Sequence, residues 1–256
     1  MRYSVVFLIA ILSIGMMPIS INAAQSITLV ADEVIPYVDI HHARHGIDSE
    51  IVKEAFQRVG YTVQFKFRPW ARVLKEVERG DFEAAYTAFY TSERSEVFAF
   101  SRPYNKGSLV LYKRKETPIS YTTIRDLTPY TIGVVLGNVY SPEFDAATYL
   151  KKEAVSKLLQ NLKKLAANRI DLLVGDYAEI QTTIWTQFPE GKDSLVSLEP
   201  PISTNLHYVI FSKKISGYEQ KLRDFNSGLQ QIIQDGTFEQ IFRNYGINID
   251  MNSLTH

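Results

Sequence analysis

The stretch TAFYTSERSEVFAFSRPY, Thr87 to Tyr104, decides how this chain is read. It leaves an apolar strand, enters a hydroxyl-rich turn carrying a single arginine, Arg94, and returns to the alternating run Phe98-Ala99-Phe100. A guanidinium presents two parallel N–H donors that match a carboxylate, and it stays charged at any relevant pH. From composition alone, the plainer reading of Arg94 is a surface residue paired with Glu93 or Glu96, because isolated surface ion pairs are common and worth little.

Working outward, SITLVADEV reads as a buried strand leading to a turn at Ile35-Pro36-Tyr37. GIDSEIVKEAFQRVG has the helical period, with Ile47, Ile51, Ala55 and Val59 on one face, Asp48 or Ser49 as cap and Gly60 as stop. YTVQFKF alternates as a strand, and Pro69 opens a second helix striped by Trp70, Val73, Leu74 and Val77 and ended by Gly80. DFEAAYTAF returns as a strand. Strand and helix alternating at this spacing predict a mostly parallel α/β sheet.

After SLVLYKRK and a Thr- and Pro-containing bridge the pattern restarts. YTIGVVLG reads as a strand, SPEFDAATYL and KLLQNLKKLAANR as helices, and IDLLVGD and HYVIFSKK as strands. YEQKLRDFNSGLQQIIQDG and FEQIFRNYGI read as closing helices. No long linker or low-complexity tract separates the units, so two α/β lobes with a cleft between them are expected.

The 256-residue chain balances 28 basic against 28 acidic residues, which gives no bulk field toward nucleic acid or an anionic membrane. Met1-Arg2, the apolar run VVFLIAILSIGMM and the small-residue exit INAA describe a secretory signal peptide over residues 1–24. A membrane anchor is disfavoured, because the apolar run is shorter than the ~20 residues a span needs and Pro18 interrupts it. The chain has no cysteine, hence no lipid-anchor site, and the mature protein is expected free in the periplasm.

Several stretches carry a resemblance to the bacterial extracellular solute-binding proteins, family 3, the periplasmic polar amino-acid-binding components of ABC transporters. VADEVIPY resembles the family's first strand with its acidic residue, and GIDSEIVKEAF its first helix start, with Ile47 where an aromatic is usual. ERGDFEAAYTAFYTSERSEVFAFSRPY resembles its signature, ANRIDLLVGD its second-lobe strand, and QDGTFEQIFRNYG its C-terminal helix pair. The resemblance covers about Ile27 to Gly246. It implies a periplasmic-binding-protein fold of two α/β lobes joined by a two-strand hinge. Lobe 1 would hold 25–112 and 207–248, and lobe 2, inserted, 113–206.

The resemblance also gives Arg94 a role, gripping the ligand's α-carboxylate together with Thr87. Asp176, at the end of IDLLVGD, stands where open α/β sheets present ligand groups and would meet an ammonium. It reads equally as a helix N-cap for YAEIQTTI, and its two oxygens can divide those roles. Asp32 occupies the matching strand end in the first lobe, with Glu33 beside it leaving the register open by one residue. Gly137-Asn138 closes a strand and leads toward a helix, where free N–H groups favour an anion.

Two positions depart from the family. Asn138, Val139 and Tyr140 stand where hydroxyl residues usually follow Gly137, and Phe89 replaces the usual Ser or Thr five residues before the arginine. Tyr37, Tyr86, Phe89 and Tyr140 are candidate stacking surface, or ordinary packing. Trp70 reads as core, and Arg72 as solvent-facing or at the cleft mouth. His41, His42 and His45 read as a solvated turn rather than a metal site.

The expected function is capture of a small carboxylate-bearing solute, an amino acid or derivative, by hinge closure, and its presentation to an ABC permease. An orphan sensor, or an enzyme on the same scaffold such as a cyclic-acid dehydratase, is the alternative. Glu179 and His207 could be nominated as acid/base groups, but nothing around them in the sequence suggests activation. No catalytic residue, cofactor, metal or nucleic-acid partner is expected, and the protein is expected to be a monomer.

Overall fold

A computed structural model describes residues 25–247 of the 256. The signal peptide expected at 1–24 lies outside the described residues. The chain opens with β1 (Gln25–Ala31), α1 (Ile47–Arg58), β2 (Tyr61–Phe67), α2 (Trp70–Arg79) and β3 (Ala84–Ala88). β1 runs parallel to both β2 and β3, as the alternating pattern predicts. The cap of α1 differs from expectation. Gly46 is its N-cap without a side-chain bond, while Asp48 and Ser49 lie inside the first turn and are buried.

The segment around Arg94 is a short helix rather than a turn. The Thr91 hydroxyl caps α3 (Ser92–Val97) by accepting the Arg94 backbone N–H at 3.1 Å, and β4 (Phe98–Phe100) follows at once. A β-branched threonine at φ 62° precedes it, because β3 breaks register between Ala85 and Ala88 and Thr87 takes up the left-handed turn. Such a conformation stores strain and tends to occur at ligand clamps and other functional sites.

β5 (Asn105–Arg114) leads into the second half. There follow β6 (Thr131–Val135), α4 (Pro142–Ala146), β7 (Lys151–Val155), α5 (Leu158–Ala166), β8 (Leu172–Asp176) and α6 (Tyr177–Gln187). The chain returns through β9 (Leu195–Ser212), α7 (Tyr218–Gln234) and α8 (Thr237–Asn244). The helix expected through Leu150 stops at Ala146, and the charged KKEAV forms an edge strand on β6 instead. β9 also begins twelve residues earlier than HYVIFSKK suggests. Pro200 and Pro201 cannot donate to a ladder, and they sit in a bulge where the β5–β9 register jumps between Leu109 and Leu111.

β9 joins the halves. Its end, Tyr208–Ser212, pairs with β3 and β4 in a sheet with β1 and β2, while Leu195–His207 pairs with β5 in a sheet with β8, β6 and β7. Each sheet has its own apolar core. Phe56, Phe211, Phe225 and Phe238 fill the first between sheet and helices α1, α7 and α8. Leu111, Phe144 and Val174 on one face, and Leu162, Leu173 and Ile180 on the other, fill the second. Each fully buried side chain of this kind contributes about 1.5–3 kcal/mol. Among the described residues, no helix is long and apolar enough to cross a membrane.

Candidate functional site

The cleft lies where the two sheets face each other, and ends of strands from both supply its walls. From the first lobe come Asp32 after β1, Tyr37, Trp70 at the start of α2, Thr87, Phe89 and Arg94. From the second come Val135, Asn138, Val139 and Tyr140 after β6, Lys157 before α5, and Asp176 and Glu179 at the β8–α6 junction. His207, on the crossing strand, forms part of the floor.

Arg94 is 8% exposed, which rules out the solvated surface pair. Its Nη1 donates to the Phe89 carbonyl and its Nη2 to the Gly137 carbonyl, both at 2.8 Å. Two of the five guanidinium N–H groups are thus spent on carbonyls and the rest remain for a ligand. The Trp70 ring lies 5.6 Å from the guanidinium carbon, within cation–π range. Burial pulls the Arg94 pKa down to about 10, partly offset by Asp145, and the group stays charged at neutral pH.

Asp176 carries both roles that its position suggests. Its Oδ1 caps α6 by accepting the Glu179 N–H at 3.0 Å and also accepts the Tyr37 hydroxyl from the other lobe at 3.1 Å. Oδ2 is buried without a hydrogen-bond partner. Burial raises the Asp176 pKa, and burial with the charges of Asp176 and Asp48 pushes the Tyr37 phenol well above its usual range. Gly107 backs the carboxylate closely, since a Cβ there would stand 2.4 Å from Oδ2 and 3.2 Å from His207 Nε2.

Asp32, rather than Glu33, makes the structured contacts. Its Oδ2 accepts the Trp70 N–H at 3.0 Å, and its Oδ1 meets Lys157 Nζ across the cleft at 2.7 Å. Thr87 lines the cleft, but its hydroxyl donates to the Tyr86 carbonyl and its N–H to the Tyr104 hydroxyl, so the donor expected for a carboxylate is already used. Phe89 faces inward, with its ring 5.4 Å from that of His207. Tyr86 is fully buried and bonded to Ser49, so it is core rather than cleft surface.

The glycine corner departs most from expectation. α4 starts only at Pro142, capped by Ser141, and the Asn138 N–H is used by the Val135 carbonyl. Gly137 presents an acceptor, not an N–H nest, since its carbonyl takes donors from both Arg94 and Trp70 Nε1, the latter at 3.1 Å. Tyr140 is buried, receiving the Val135 N–H on its hydroxyl.

Sequence reasoning missed Trp70 and Lys157 as cleft residues, and nominated Glu179 and His207 only as acid/base groups of the alternative enzyme reading. Only Glu179 left a signal, because three residues past an N-cap lies on the cap's own side of the helix. Burial, then Asp176 and Asp32, raise its pKa to about 8 against the pull of Lys157. His207 is buried, with Nδ1 2.7 Å from Asp48, which also accepts from Asn105 and Tyr104. Arg72 bonds Glu76 and does not line the cleft. The His41–His45 segment is a turn, and among the described residues no cluster of three or more His, Cys, Asp or Glu suits a metal ion.

Solved structures share this architecture. The arginine-, lysine-, histidine-binding protein ArtJ from Geobacillus stearothermophilus superposes with TM-score 0.76 at 18% identity, over 91% of this chain and all of that one. A histidine kinase sensor domain similar to periplasmic binding proteins gives 0.74 at 17% identity, over 86% and 95%. At these identities the likeness shows the two-lobed fold alone. The probable ABC transporter extracellular-binding protein YckB of Bacillus subtilis strain 168 is 31% identical over 161 residues, 61% of this chain. The match spans 54% of that relative's length. The L-cystine-binding protein TcyA of the same organism is 22% identical over 200 residues, 78% of this chain and 72% of its own. The family model of the bacterial extracellular solute-binding proteins, family 3, matches residues 28–248, and its members bind solutes rather than catalyse reactions. With that span of the sequence matched and the two-lobed fold around a central cleft, the chain belongs to this family.

Proposed function

We infer that the protein captures a small amino-acid-like solute between its lobes and presents it to an ABC permease. Because β5 pairs wholly within the second sheet, we take lobe 1 as 25–104 with 208–248 and lobe 2 as 105–207, rather than dividing at 112 and 206 as expected from the sequence, and export to the periplasm follows from the leader read at 1–24. One observation carries the reading. Arg94 from the first lobe and Asp176 from the second are both buried in the walls of one cleft, and Asp176 keeps an oxygen without a partner. A guanidinium and a carboxylate facing each other across a cleft complement the carboxylate and ammonium of an α-amino acid. The solute then shifts an open–closed equilibrium because it meets both poles only in the closed state.

A thermal-shift panel of amino acids, polyamines, short peptides and organic acids tests this. A binder at a hundred times its dissociation constant adds about 2.7 kcal/mol of stability. Stabilisation by an α-amino acid that is lost in both Arg94→Ala and Asp176→Asn supports the reading. Stabilisation that survives both substitutions refutes it.

A further inference from the structure

The charges lining the cleft do not balance. Its cations are both engaged, Lys157 with Asp32 and Arg94 with the Phe89 and Gly137 carbonyls. Of its carboxylates, only Asp32 is paired with a cation among the described residues. Asp176, 6% exposed, has Oδ2 unpartnered, and the Glu179 carboxyl makes no hydrogen bond or ion pair among the described residues. One α-ammonium satisfies Asp176 and leaves Glu179 with nothing.

We propose that Glu179 is a second cation seat beside Asp176, so that the solute carries a cationic group besides its α-ammonium. The proposal rests on the reading that this cleft holds the solute. The groups facing Glu179 are Asp32 after β1, Tyr37 in the loop that follows, Tyr140 after β6, Lys157 before α5 and Asp176 at the end of β8. The two aspartates favour the neutral acid, and Lys157 opposes them incompletely because it is already paired with Asp32. The carboxyl is therefore mostly protonated at neutral pH in the empty cleft. An arriving cation breaks the Glu179 O–H bond, the carboxylate pairs with the cation, and water takes the proton. Phe89 and Tyr37 are suited to flank such a group, since aromatic faces attract cations.

The test is calorimetric titration of the full chain with arginine, lysine, citrulline and agmatine, in two buffers of different ionisation enthalpy. Citrulline keeps arginine's length with a neutral end, and agmatine keeps its cations without the carboxylate. Arginine or lysine should bind more than tenfold tighter than citrulline and release about one proton at pH 7. Their affinity should rise about tenfold per pH unit up to the Glu179 pKa and level off above it. Glu179→Gln, checked for a cooperative melt, should abolish proton release and the preference over citrulline. Proton-releasing binding of agmatine alone sustains the proposal and sinks the α-carboxylate reading. Equal binding of arginine and citrulline without proton release overturns the proposal and leaves that reading intact. No binding by any of these probes overturns the proposal, and the amino-acid reading is then decided by the wider thermal-shift panel.

Discussion

The Arg94 guanidinium reaches across the cleft and donates at 2.8 Å to the carbonyl of Gly137, a residue packed close against Ala71 in α2. The same guanidinium holds the Phe89 carbonyl of its own lobe, so one side chain bridges the lobes while facing the ligand space. That geometry needs a planar fork. A lysine keeps the charge but presents its donors from a single nitrogen and cannot serve both carbonyls and a carboxylate. Arg94→Lys should therefore weaken binding of the stabilising amino acid by about 2 kcal/mol, some thirtyfold. Calorimetry checks this, and wild-type affinity in the lysine variant would show that the fork is idle.

Closure can be read from a built-in probe. The chain has two tryptophans, with Trp70 buried in the cleft against Gly137 and Trp185 exposed under Lys192. In a Trp185→Phe protein the fluorescence belongs to Trp70 alone. Its emission should be blue-shifted in the closed form and move to the red when the Trp70–Gly137 contact is broken. Tyr37→Phe removes the interlobe bond to Asp176 and should raise the open population by about 0.5–1.5 kcal/mol. An emission maximum unchanged by saturating ligand and by Tyr37→Phe would contradict this account of the interlobe contacts.

Glu179 makes an opposite demand on stability. Burial and two neighbouring aspartates lift its pKa from 4.5 to about 8. A group with a raised folded pKa contributes its full stability below the unfolded value and loses it as pH climbs through the folded value. The empty protein should therefore lose stability relative to Glu179→Gln between about pH 4.5 and pH 8. Through that range the balance should move toward the variant by about 1.4 kcal/mol per pH unit, or roughly 3–6 °C in Tm per unit. Melting both proteins across that range decides it, and parallel Tm curves would mean that the carboxyl titrates normally.

Much of this was legible in the residues themselves. The 3.6-residue stripes of α1 and α7, the alternation of β2 and Asp176 at its strand end follow from local pattern, whereas Arg94 read locally as a surface pair and gained its place in the cleft only from the family resemblance. KKEAV was not legible, because a largely exposed, polar edge strand carries no apolar alternation. Nor was β9 before His207, where two prolines interrupt the ladder and only the bulge against β5 accommodates them. Trp70 read as core because its ring does pack against Val73 and Val77, but its indole N–H is placed by a loop 67 residues away. Lys157 and Glu179 meet only through the packing of α5 and α6 on β8, a long-range relation that no local window contains.

Gly107 offers the cleanest separation of binding from folding. It lies near the start of β5, where the chain crosses between lobes, and its missing side chain is what lets Asp176 and His207 approach the strand. A Cβ there would stand 2.4 Å from Asp176 Oδ2, far inside contact distance, so the carboxylate must rotate away. Rotation breaks the Tyr37 bond and the α6 cap together, because both use the other oxygen of the same group. Gly107→Ala should cost about 1–3 kcal/mol of stability, the usual range for overpacking. Its binding loss should match that of Asp176→Asn, and combining the two substitutions should add little further loss, since both remove the same correctly aimed carboxylate. Fully additive losses in a double-mutant cycle would show that Gly107 acts elsewhere, through the crossing strand and not through Asp176.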